Sequence, residues 1–462
     1  MHRQELREML TIDLDRISQI SQQGIKVQNL AYQINEKSLK EVHHGMDEKK
    51  AVGIDKVTKE EYDKHLNENL QALVSRMKGG TYTPKPSRRV FIDKPGTNKK
   101  RPLAISCYED KLVEKVIAEL LNAVYEPKFL ECSFGFRPGR NCHEAISKCL
   151  NEIEGYTSYI VEADIRSCFD TLKHEWIIEF LEQDIADKQF IELIRRFLKA
   201  GYIEANLWHT GEEGSAQGSG FSPCICNVYL HNVLDTWFAM LKAEGRFRGN
   251  AWLIRYADDF VCGFQYKEDA EKFYKVLPKR FGKYGLTLAE EKTRILEFGR
   301  FARKNSEERH KRDPKFPKKP GTFDFLGFTF YCSEGRNNGK FVPKIKSASK
   351  RFRTKVAKMN AWLRDNRHLP LEEIMKHINQ VFEGYFQYYA VTCNFKWANM
   401  FRVQTLKLLF KWLNRRSQRK SYTWEGFRDM LKAFPLLTVK VRTNIYGYYR
   451  IRRAKTLGEP YA

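Results

Sequence analysis

Two adjacent aspartates, Asp258 and Asp259, interrupt an otherwise mostly apolar stretch between Trp252 and Gly263. The pattern predicts two buried strands joined by a tight turn that carries both acids. Buried carboxylates side by side repel each other unless a divalent cation neutralises them, and their oxygens suit Mg²⁺ or Mn²⁺. Many Asp-Asp pairs are ordinary exposed turn residues, so the apolar flanks are what favours a metal site here.

A third aspartate follows a second apolar run. The segment Tyr159–Ile165 is rich in β-branched residues and predicts a strand that carries Asp164 to its C-terminal end. If this strand lies beside the turn, Asp164, Asp258 and Asp259 can hold two metal ions about 3.5–4 Å apart. Such a pair of ions stabilises the attacking and leaving oxygens of a nucleotidyl transfer. Whether the three carboxylates meet is a question for the structure.

The charge of the chain is strongly unbalanced, with 81 Lys and Arg against 57 Asp and Glu, which gives +24 at pH 7. This excess indicates a polyanionic partner, most simply nucleic acid, although a merely soluble basic protein has the same composition. No stretch approaches the roughly 20 apolar residues of a membrane span, and the first residues lack the apolar core of a signal peptide. We therefore expect an intracellular protein that does not contact a membrane.

Several short motifs follow one another along the chain. They are Asp164–Asp170, Gln217-Gly218 with Ser222-Pro223, Tyr256–Asp259 and Phe323–Phe328, preceded by Ala51–Asp55, Tyr82–Val90, Arg101–Ile105 and Ser133–Arg140. In order and spacing they resemble the palm and finger motifs of the group II intron-encoded reverse transcriptase/maturase family. The resemblance extends from about residue 35 to about residue 430, which is nearly the whole chain.

The resemblance implies a catalytic site built on Asp164, Asp258 and Asp259, with the carbonyl of Ile165 as a further metal ligand. The cofactor would be Mg²⁺, with Mn²⁺ as a substitute. Phe169, five residues after Asp164, matches the aromatic ring that would clash with a ribose 2′-hydroxyl and so favour dNTPs. Its alternative role is simple core packing.

Further residues match positions that surround the incoming nucleotide in this family. Lys94 and Arg101 would donate to the triphosphate, although each also fits an ordinary surface charge. Gln217 and Gly218 would form part of the nucleotide pocket, because glycine permits a close backbone approach. Lys292 would protonate the leaving pyrophosphate, or else lie on a helix surface. Ala216 stands where proline is usual, which leaves the shape of this pocket open.

Basic residues in the finger and C-terminal regions are candidates for binding nucleic acid. Basic segments with interleaved aromatics are also typical of an ordinary solvated surface. The candidates are Arg88, Arg89, Arg137, Arg140, Lys350, Arg351, Arg353, Arg415, Arg416, Arg419 and Lys420.

The element pattern predicts an α+β fold, arranged as a right-hand polymerase whose fingers and palm, with a small antiparallel sheet, precede an α-helical thumb/maturase domain. The predicted elements include helices at Glu109–Tyr125, His143–Ile153 and His174–Ala200, a hairpin turn near Asp93–Thr97 and an exposed loop at Arg300–Pro320. The expected domains are a helical extension of the fingers at 1–80, fingers and palm at 81–335, a thumb at 336–435 and a short tail at 436–462.

The resemblance implies an RNA-directed DNA polymerase that uses dNTPs, an RNA template and a DNA primer or target. It also implies a maturase that binds structured intron RNA for splicing and retrohoming, as a bacterial cytoplasmic ribonucleoprotein without the endonuclease domain of some relatives. Two alternatives remain: a free-standing group II-like reverse transcriptase in DNA repair or phage defence, and a non-catalytic RNA-binding splicing factor. All three acids are present, which disfavours the second alternative. The oligomeric state is left open.

Overall fold

The computed structural model describes most of the chain. The described residues are 13–93, 100–204, 207–209, 211, 213–215, 218–335, 340–418 and 421–457. Among them, no helix is both long and apolar enough to cross a membrane.

The N-terminal region is helical and leads into a two-stranded hairpin. Its elements are α1 (Leu14–Gln22), α2 (Glu36–His44), α3 (Lys59–Asp63), α4 (Leu66–Lys78), β1 (Ser87–Asp93) and β2 (Lys100–Ile105), followed by α5 (Tyr108–Tyr125) and α6 (Cys142–Glu154). The helix start predicted at Thr58 is confirmed, because its hydroxyl accepts from the Glu61 N–H while the Glu61 carboxylate accepts from the Thr58 N–H. The helices predicted for α5 and α6 are confirmed as well.

The central region alternates strands and helices. Its elements are β3 (Tyr159–Asp164), α7 (Cys168–Thr171), α8 (His174–Asp184), α9 (Lys188–Lys199), β4 (Tyr202–Glu204), β5 (Leu207–His209), α10 (Ser222–Leu230), α11 (Thr236–Ala243), β6 (Ala251–Tyr256), β7 (Asp259–Phe264), α12 (Lys267–Lys283), β8 (Arg294–Glu297) and α13 (Ala302–Arg312). A three-stranded sheet of β9 (Phe323–Phe325), β10 (Phe328–Glu334) and β11 (Phe341–Ser347) closes this region.

The C-terminal region is built from helices. They are α14 (Ser349–Asn366), α15 (Leu371–Tyr389), α16 (Phe395–Leu413), α17 (Trp424–Ala433) and α18 (Tyr448–Leu457). Small antiparallel sheets covered by helices, followed by a helical region, make up the α+β class predicted from the sequence, which is thereby confirmed.

The palm sheet has the order β6-β7-β3-β8, and all of its neighbouring strands are antiparallel. Successive side chains of a strand point to opposite faces, and here both faces are covered. Val161 and Phe260 enter a core shared with the N-terminal helices, whereas Ile160 and Val261 enter a second core shared with the C-terminal helices. Burial on both sides explains why β3, β6 and β7 are mostly apolar rather than alternating.

A second sheet joins the hairpin to the palm. Its order is β2-β1-β4-β5, and β1 pairs with β4 in parallel, so that Ser87 lies opposite Tyr202. The hairpin register sets Val90 opposite Leu103 and Asp93 opposite Lys100. The fingers are therefore anchored through β4 and β5 to the segment that precedes α10.

Two predictions of local structure need correction. The helix predicted over 174–200 is two helices, because Asp187 caps α9 and Ile185 leaves the helix to bridge with Val27. The loop predicted over 300–320 contains α13, whose buried Ala302 and Ser306 hold it against the palm.

Within the described residues, the tail predicted over 436–462 packs against the rest of the protein. Ile445 is fully buried among the C-terminal helices. Helix α18 then returns to α6, where Arg452 pairs with Glu144 and the Tyr449 hydroxyl lies 3.2 Å from a Glu131 carboxylate oxygen.

Gly263 in β7 provides a test of packing in the palm. A Cβ at this position would lie 2.1 Å from Cε2 of Trp252, whose ring is fixed by a 2.7 Å hydrogen bond from its Nε1 to Thr157. We expect Gly263→Ala to lower the free energy of unfolding by about 1–3 kcal/mol because the ring has no room to move. Urea denaturation measures this change.

Gly282 in α12 is the matched control, because no atom lies within 4 Å of an added Cβ there. Gly282→Ala should leave stability unchanged or raise it by about 0.5–1 kcal/mol, as helix propensity requires. Equal effects at both positions would contradict this account of the palm.

Candidate catalytic site

The three aspartates predicted to form a site converge at one end of the palm sheet. Asp164 is the last residue of β3 and lies directly opposite Asp259, the first residue of β7. Asp258 precedes it in the turn between β6 and β7. The convergence that the sequence left open therefore follows from the antiparallel register of two neighbouring strands.

The electrostatics of this site are unfavourable for three anions. Burial, together with the neighbouring carboxylates of Asp164 and Asp258, raises the pKa of Asp259 to about 8. The Nζ of Lys292 forms an ion pair with the Asp164 carboxylate and partly offsets this charge. The same ion pair raises the pKa of Lys292, so this amine stays protonated at neutral pH.

The donor set fits a hard divalent cation. Carboxylate and carbonyl oxygens are the ligands that Mg²⁺ and Mn²⁺ prefer, and uncompensated negative charge favours cation binding. Within the described part of the chain, no three Asp, Glu, His or Cys side chains form a ready-made metal cage. The ammonium group of Lys292 instead neutralises Asp164, so a metal ion would have to displace or share that contact.

Phe169 lies beside a cavity of about 430 Å³ between the fingers and the palm. The cavity is also lined by Ala104, Glu114 and Ser215. Phe169 is buried, and its ring lies edge-on to Phe136 with the centroids 6.4 Å apart. A ring at this position can contact a ligand in the cavity, and it can also pack against the protein core.

Gly218, expected in the nucleotide pocket, makes a close backbone approach to the finger hairpin. Its φ is +123°, and an added Cβ would lie 2.3 Å from the carbonyl oxygen of Ala104 in β2. The loop that begins at Gly218 is thus pressed against the finger hairpin, and no residue with a side chain fits there.

Glu114 and Asp110 are buried acids of α5 that the sequence analysis did not single out. Glu114 accepts hydrogen bonds from the Ser106 hydroxyl at 2.7 Å and from the Gly220 N–H at 2.9 Å. Asp110 accepts from the Tyr82 hydroxyl at 2.5 Å and from the Lys85 N–H at 3.1 Å. The signal in the sequence is two acids at i and i+4 on the apolar face of a helix. Together they tie both ends of the finger hairpin to α5.

The basic residues proposed for the fingers have mixed surroundings. Arg101 is exposed on β2 opposite Ile92. Arg89 stacks on Tyr202 with its guanidinium carbon 4.2 Å from the ring centroid, and it lies 3.5 Å from the Glu204 carboxylate. The predicted residues Lys94, Gln217, Arg419 and Lys420, as well as Ala216, lie outside the described part of the chain.

Three of the arginines proposed for nucleic acid are engaged within the protein. Arg137 is buried and binds both oxygens of Glu126 as well as the carbonyls of Leu130 and Ser133. Arg140 pairs with Glu131 at 2.8 Å, and Arg88 donates to the Val52 carbonyl at 2.8 Å. We therefore withdraw Arg137 from the proposed interface, because its side chain is buried and bonded within the protein. Arg88 and Arg140 are partly exposed and stay candidates.

The basic residues proposed for the C-terminal helices are at the surface. Lys350, Arg351 and Arg353 are exposed along the first turns of α14. Arg415 and Arg416 are exposed just after α16, and Arg415 lies 5.5 Å from the ring centroid of Trp412. These residues stay candidates for binding phosphate.

Glu114 should make folding stability depend on pH. Burial is the main cause that raises its pKa from 4.5 to about 7. Between these values the folded protein keeps a proton that the unfolded chain has lost, so the free energy of unfolding falls as pH rises. We expect Glu114→Gln to flatten this dependence, with the difference from wild type changing by up to about 3 kcal/mol between pH 4.5 and 7.

Urea denaturation across this pH range measures the effect. The exposed Glu175→Gln is the control and should run parallel to wild type. Parallel curves for Glu114→Gln and wild type would show that Glu114 does not hold the extra proton.

Comparison with known families and proteins gives consistent results. The profile for "Reverse transcriptase (RNA-dependent DNA polymerase)" matches residues 92–330, and that for "Group II intron, maturase-specific domain" matches residues 349–429. The group II intron-encoded protein LtrA of Lactococcus lactis subsp. cremoris is 38% identical over 182 residues, which are 39% of this chain and 30% of LtrA. A 91 kDa protein in the cob intron of Schizosaccharomyces pombe is 40% identical over 180 residues, 39% of this chain and 22% of that protein.

These alignments span less than a third of either relative. A solved structure of telomerase from Candida albicans, in complex with a TWJ fragment of telomeric RNA, covers 85% of this chain and 65% of its own at a TM-score of 0.45 and 12% identity. The first family profile alone covers more than half of the 462 residues, and it contains the three converging aspartates. The chain therefore belongs to the reverse transcriptase family, and it carries the maturase-specific domain of group II intron proteins.

Proposed function

We propose that the protein is an RNA-directed DNA polymerase that extends a DNA primer with dNTPs on an RNA template. The observation that carries this proposal is the meeting of Asp164, Asp258 and Asp259 at the end of the palm sheet, in a chain of the reverse transcriptase family. Nucleotidyl transfer needs a cluster of oxygen ligands for metal ions, and these three carboxylates would form it.

The acids would hold two Mg²⁺ ions, or Mn²⁺ in their place, together with the carbonyl of Ile165. When bound, these ions stabilise the charge on the attacking 3′-oxygen and on the leaving oxygen of the dNTP. Lys292 keeps its proton at neutral pH and lies at Asp164, so it can deliver that proton to the departing pyrophosphate. Arg101, and Lys94 beyond the described residues, would bind the triphosphate.

Nucleotide selection would depend on the wall of the pocket beside Phe169. The ring would exclude a ribose 2′-hydroxyl by contact, and Gln217 and Gly218 would also contribute to the nucleotide pocket. Glu114 supports this wall indirectly, because it holds the Gly220 N–H and the end of the finger hairpin together.

The template and primer would be held by the remaining basic surface. Exposed candidates are Arg101 in the fingers and Lys350, Arg351, Arg353, Arg415 and Arg416 in the thumb. Their cationic groups would contact phosphates without reading sequence, which is how most duplex-binding surfaces act.

A second role, as a maturase that binds group II intron RNA for splicing and retrohoming, is supported by the match of residues 349–429 to the maturase-specific domain. The exposed basic residues of α14 fall within this segment. The DNA around the gene distinguishes this role from that of a free-standing reverse transcriptase, because only a maturase gene is expected inside an intron that encodes catalytic RNA.

Primer extension on an RNA template with dNTPs and Mg²⁺ tests the polymerase directly. We expect Asp258→Asn to lower the extension rate by about a thousandfold or more, because the substitution removes a charged ligand from the cluster. The exposed Asp15→Asn in α1 is the control and should match wild type. A folded wild-type protein that binds RNA but extends no primer with Mg²⁺ or Mn²⁺ would reject the proposed activity.

The role of Phe169 is tested by competition between dNTPs and rNTPs. Phe169→Ala should lower the preference for dNTPs by at least about tenfold, because the contact that rejects the 2′-hydroxyl is lost. Phe169→Tyr keeps the ring and should keep the preference. Equal selectivity in wild type and Phe169→Ala would assign this residue to core packing alone.

A further inference from the structure

Arg255 is a fully buried arginine three residues before Asp258. All five N–H donors of its guanidinium have partners. Nε and Nη2 bind the two oxygens of Asp235 at 2.8 and 2.6 Å, and Nη2 also donates to the Ser133 hydroxyl at 2.8 Å. Nη1 donates to the side-chain oxygen of Asn227 at 2.9 Å and to the carbonyl of Ala257 at 3.0 Å.

This network is costly to build for stability alone. Arg255 and Asp235 are both completely shielded from water, and a buried ion pair is often no more stabilising than apolar residues of the same size. The strand β6 is otherwise apolar between Ala251 and Ile254, so a hydrophobic residue would suit this position. The geometry therefore points to a role in holding a particular conformation.

The conformation that it holds is the turn carrying the two acids. Ala257 has φ +58°, in the left-handed region that residues with a side chain rarely adopt. Arg255 fixes the carbonyl of Ala257 from one side. Gly135 presses on the turn from the other side, since a Cβ there would lie 2.3 Å from the Ala257 nitrogen. Asn227 links the two contacts by donating to the Gly135 carbonyl at 2.7 Å.

The segment around Gly135 belongs to the Ser133–Arg140 motif, which the sequence analysis assigned to the fingers. Its backbone runs beside β6, with the Arg255 N–H donating to the Cys132 carbonyl at 2.7 Å and the Phe134 N–H donating to the Arg255 carbonyl at 2.9 Å. At this position the motif supports the turn of the palm.

We propose that Arg255, held by Asp235, is a positioning residue that fixes the turn bearing Asp258 and Asp259 and so sets the affinity of the site for divalent cations. The proposal rests on the proposed polymerase function for its link to catalysis. The cation affinity itself is a property of the folded protein and is measurable without turnover.

Arg255→Lys is the main test. Lysine keeps the positive charge but has three donors on a single nitrogen, so it cannot reproduce the five hydrogen bonds of Arg255. We expect the ion pair with Asp235 to survive while the turn loses its support. We expect the Mg²⁺ concentration for half-maximal primer extension to rise by at least about tenfold, which corresponds to about 1.4 kcal/mol. The KM for dNTP, measured at saturating Mg²⁺, should change by less than about twofold.

Arg137→Lys is the matched control. Arg137 is also buried, binds a carboxylate and two carbonyls, and lies in the same segment, but none of its hydrogen bonds reaches the turn. Arg137→Lys should lower the free energy of unfolding about as much as Arg255→Lys does, without any shift in the Mg²⁺ dependence of primer extension. Equal Mg²⁺ dependence in both variants would overturn the proposal and leave Arg255 with a purely structural role.

Mn²⁺ binding, measured directly from the electron paramagnetic resonance signal of the free ion, tests the positioning role of Arg255 separately from the polymerase activity. A wild type that extends no primer would reject the polymerase, yet weaker Mn²⁺ binding by Arg255→Lys than by Arg137→Lys would still support the positioning role. If Arg255→Lys does not fold, Asn227→Ala removes the link between Arg255 and Gly135 and should weaken Mn²⁺ binding at least about threefold. Unchanged Mn²⁺ binding in the folded variant would contradict the proposal.

Discussion

The repulsion between carboxylates at the end of the palm sheet is the constraint on which the rest of this structure depends. Antiparallel pairing of β3 and β7 puts Asp164 opposite Asp259, and burial of both sheet faces leaves the strand ends as the place where polar groups can gather. Such a cluster opposes folding unless positive charge or hydrogen bonds hold it. Lys292 and the network around Arg255 meet this need in different ways, one by charge and the other by fixing the backbone.

The pairing of charges within the protein also changes how the net charge of +24 is interpreted. Some of the basic residues lie inside the molecule, where Arg255 pairs with the buried Asp235 and Arg137 pairs with the partly exposed Glu126. Among the described residues proposed for binding nucleic acid, the exposed ones lie on the first turns of α14 and just after α16. These exposed candidates fall within the maturase-specific segment.

The parts of the fold that the sequence predicted well are those set by local pattern. Apolar runs ending in acids located β3, β6 and β7, and helical periodicity located α5 and α6. The prediction of one helix over 174–200 failed because of a partner distant in the chain, since Ile185 leaves its helix to pair with Val27. Arg137 is enclosed by nearer residues, because Glu126 and the carbonyls of Leu130 and Ser133 surround its guanidinium.

The candidate site shows the same division. Motif spacing selected Asp164, Asp258 and Asp259, whereas no sequence pattern singled out Arg255. Its importance depends on Asp235, Asn227 and Ser133, which come from two other segments of the chain. Glu114 was missed for the same reason, since its partners Ser106 and Gly220 lie in separate loops.

The return of α18 to α6 has a mechanical consequence for the helical region. Residues 349–429 follow β11 closely, and the chain beyond them is tied to α6 by the ion pair between Arg452 and Glu144. A helical region attached to the rest of the protein at two points has fewer rigid-body motions than one attached by a single linker. Its surface is therefore largely ordered once the chain has folded, and less conformational entropy is lost when a long, stiff ligand binds to it.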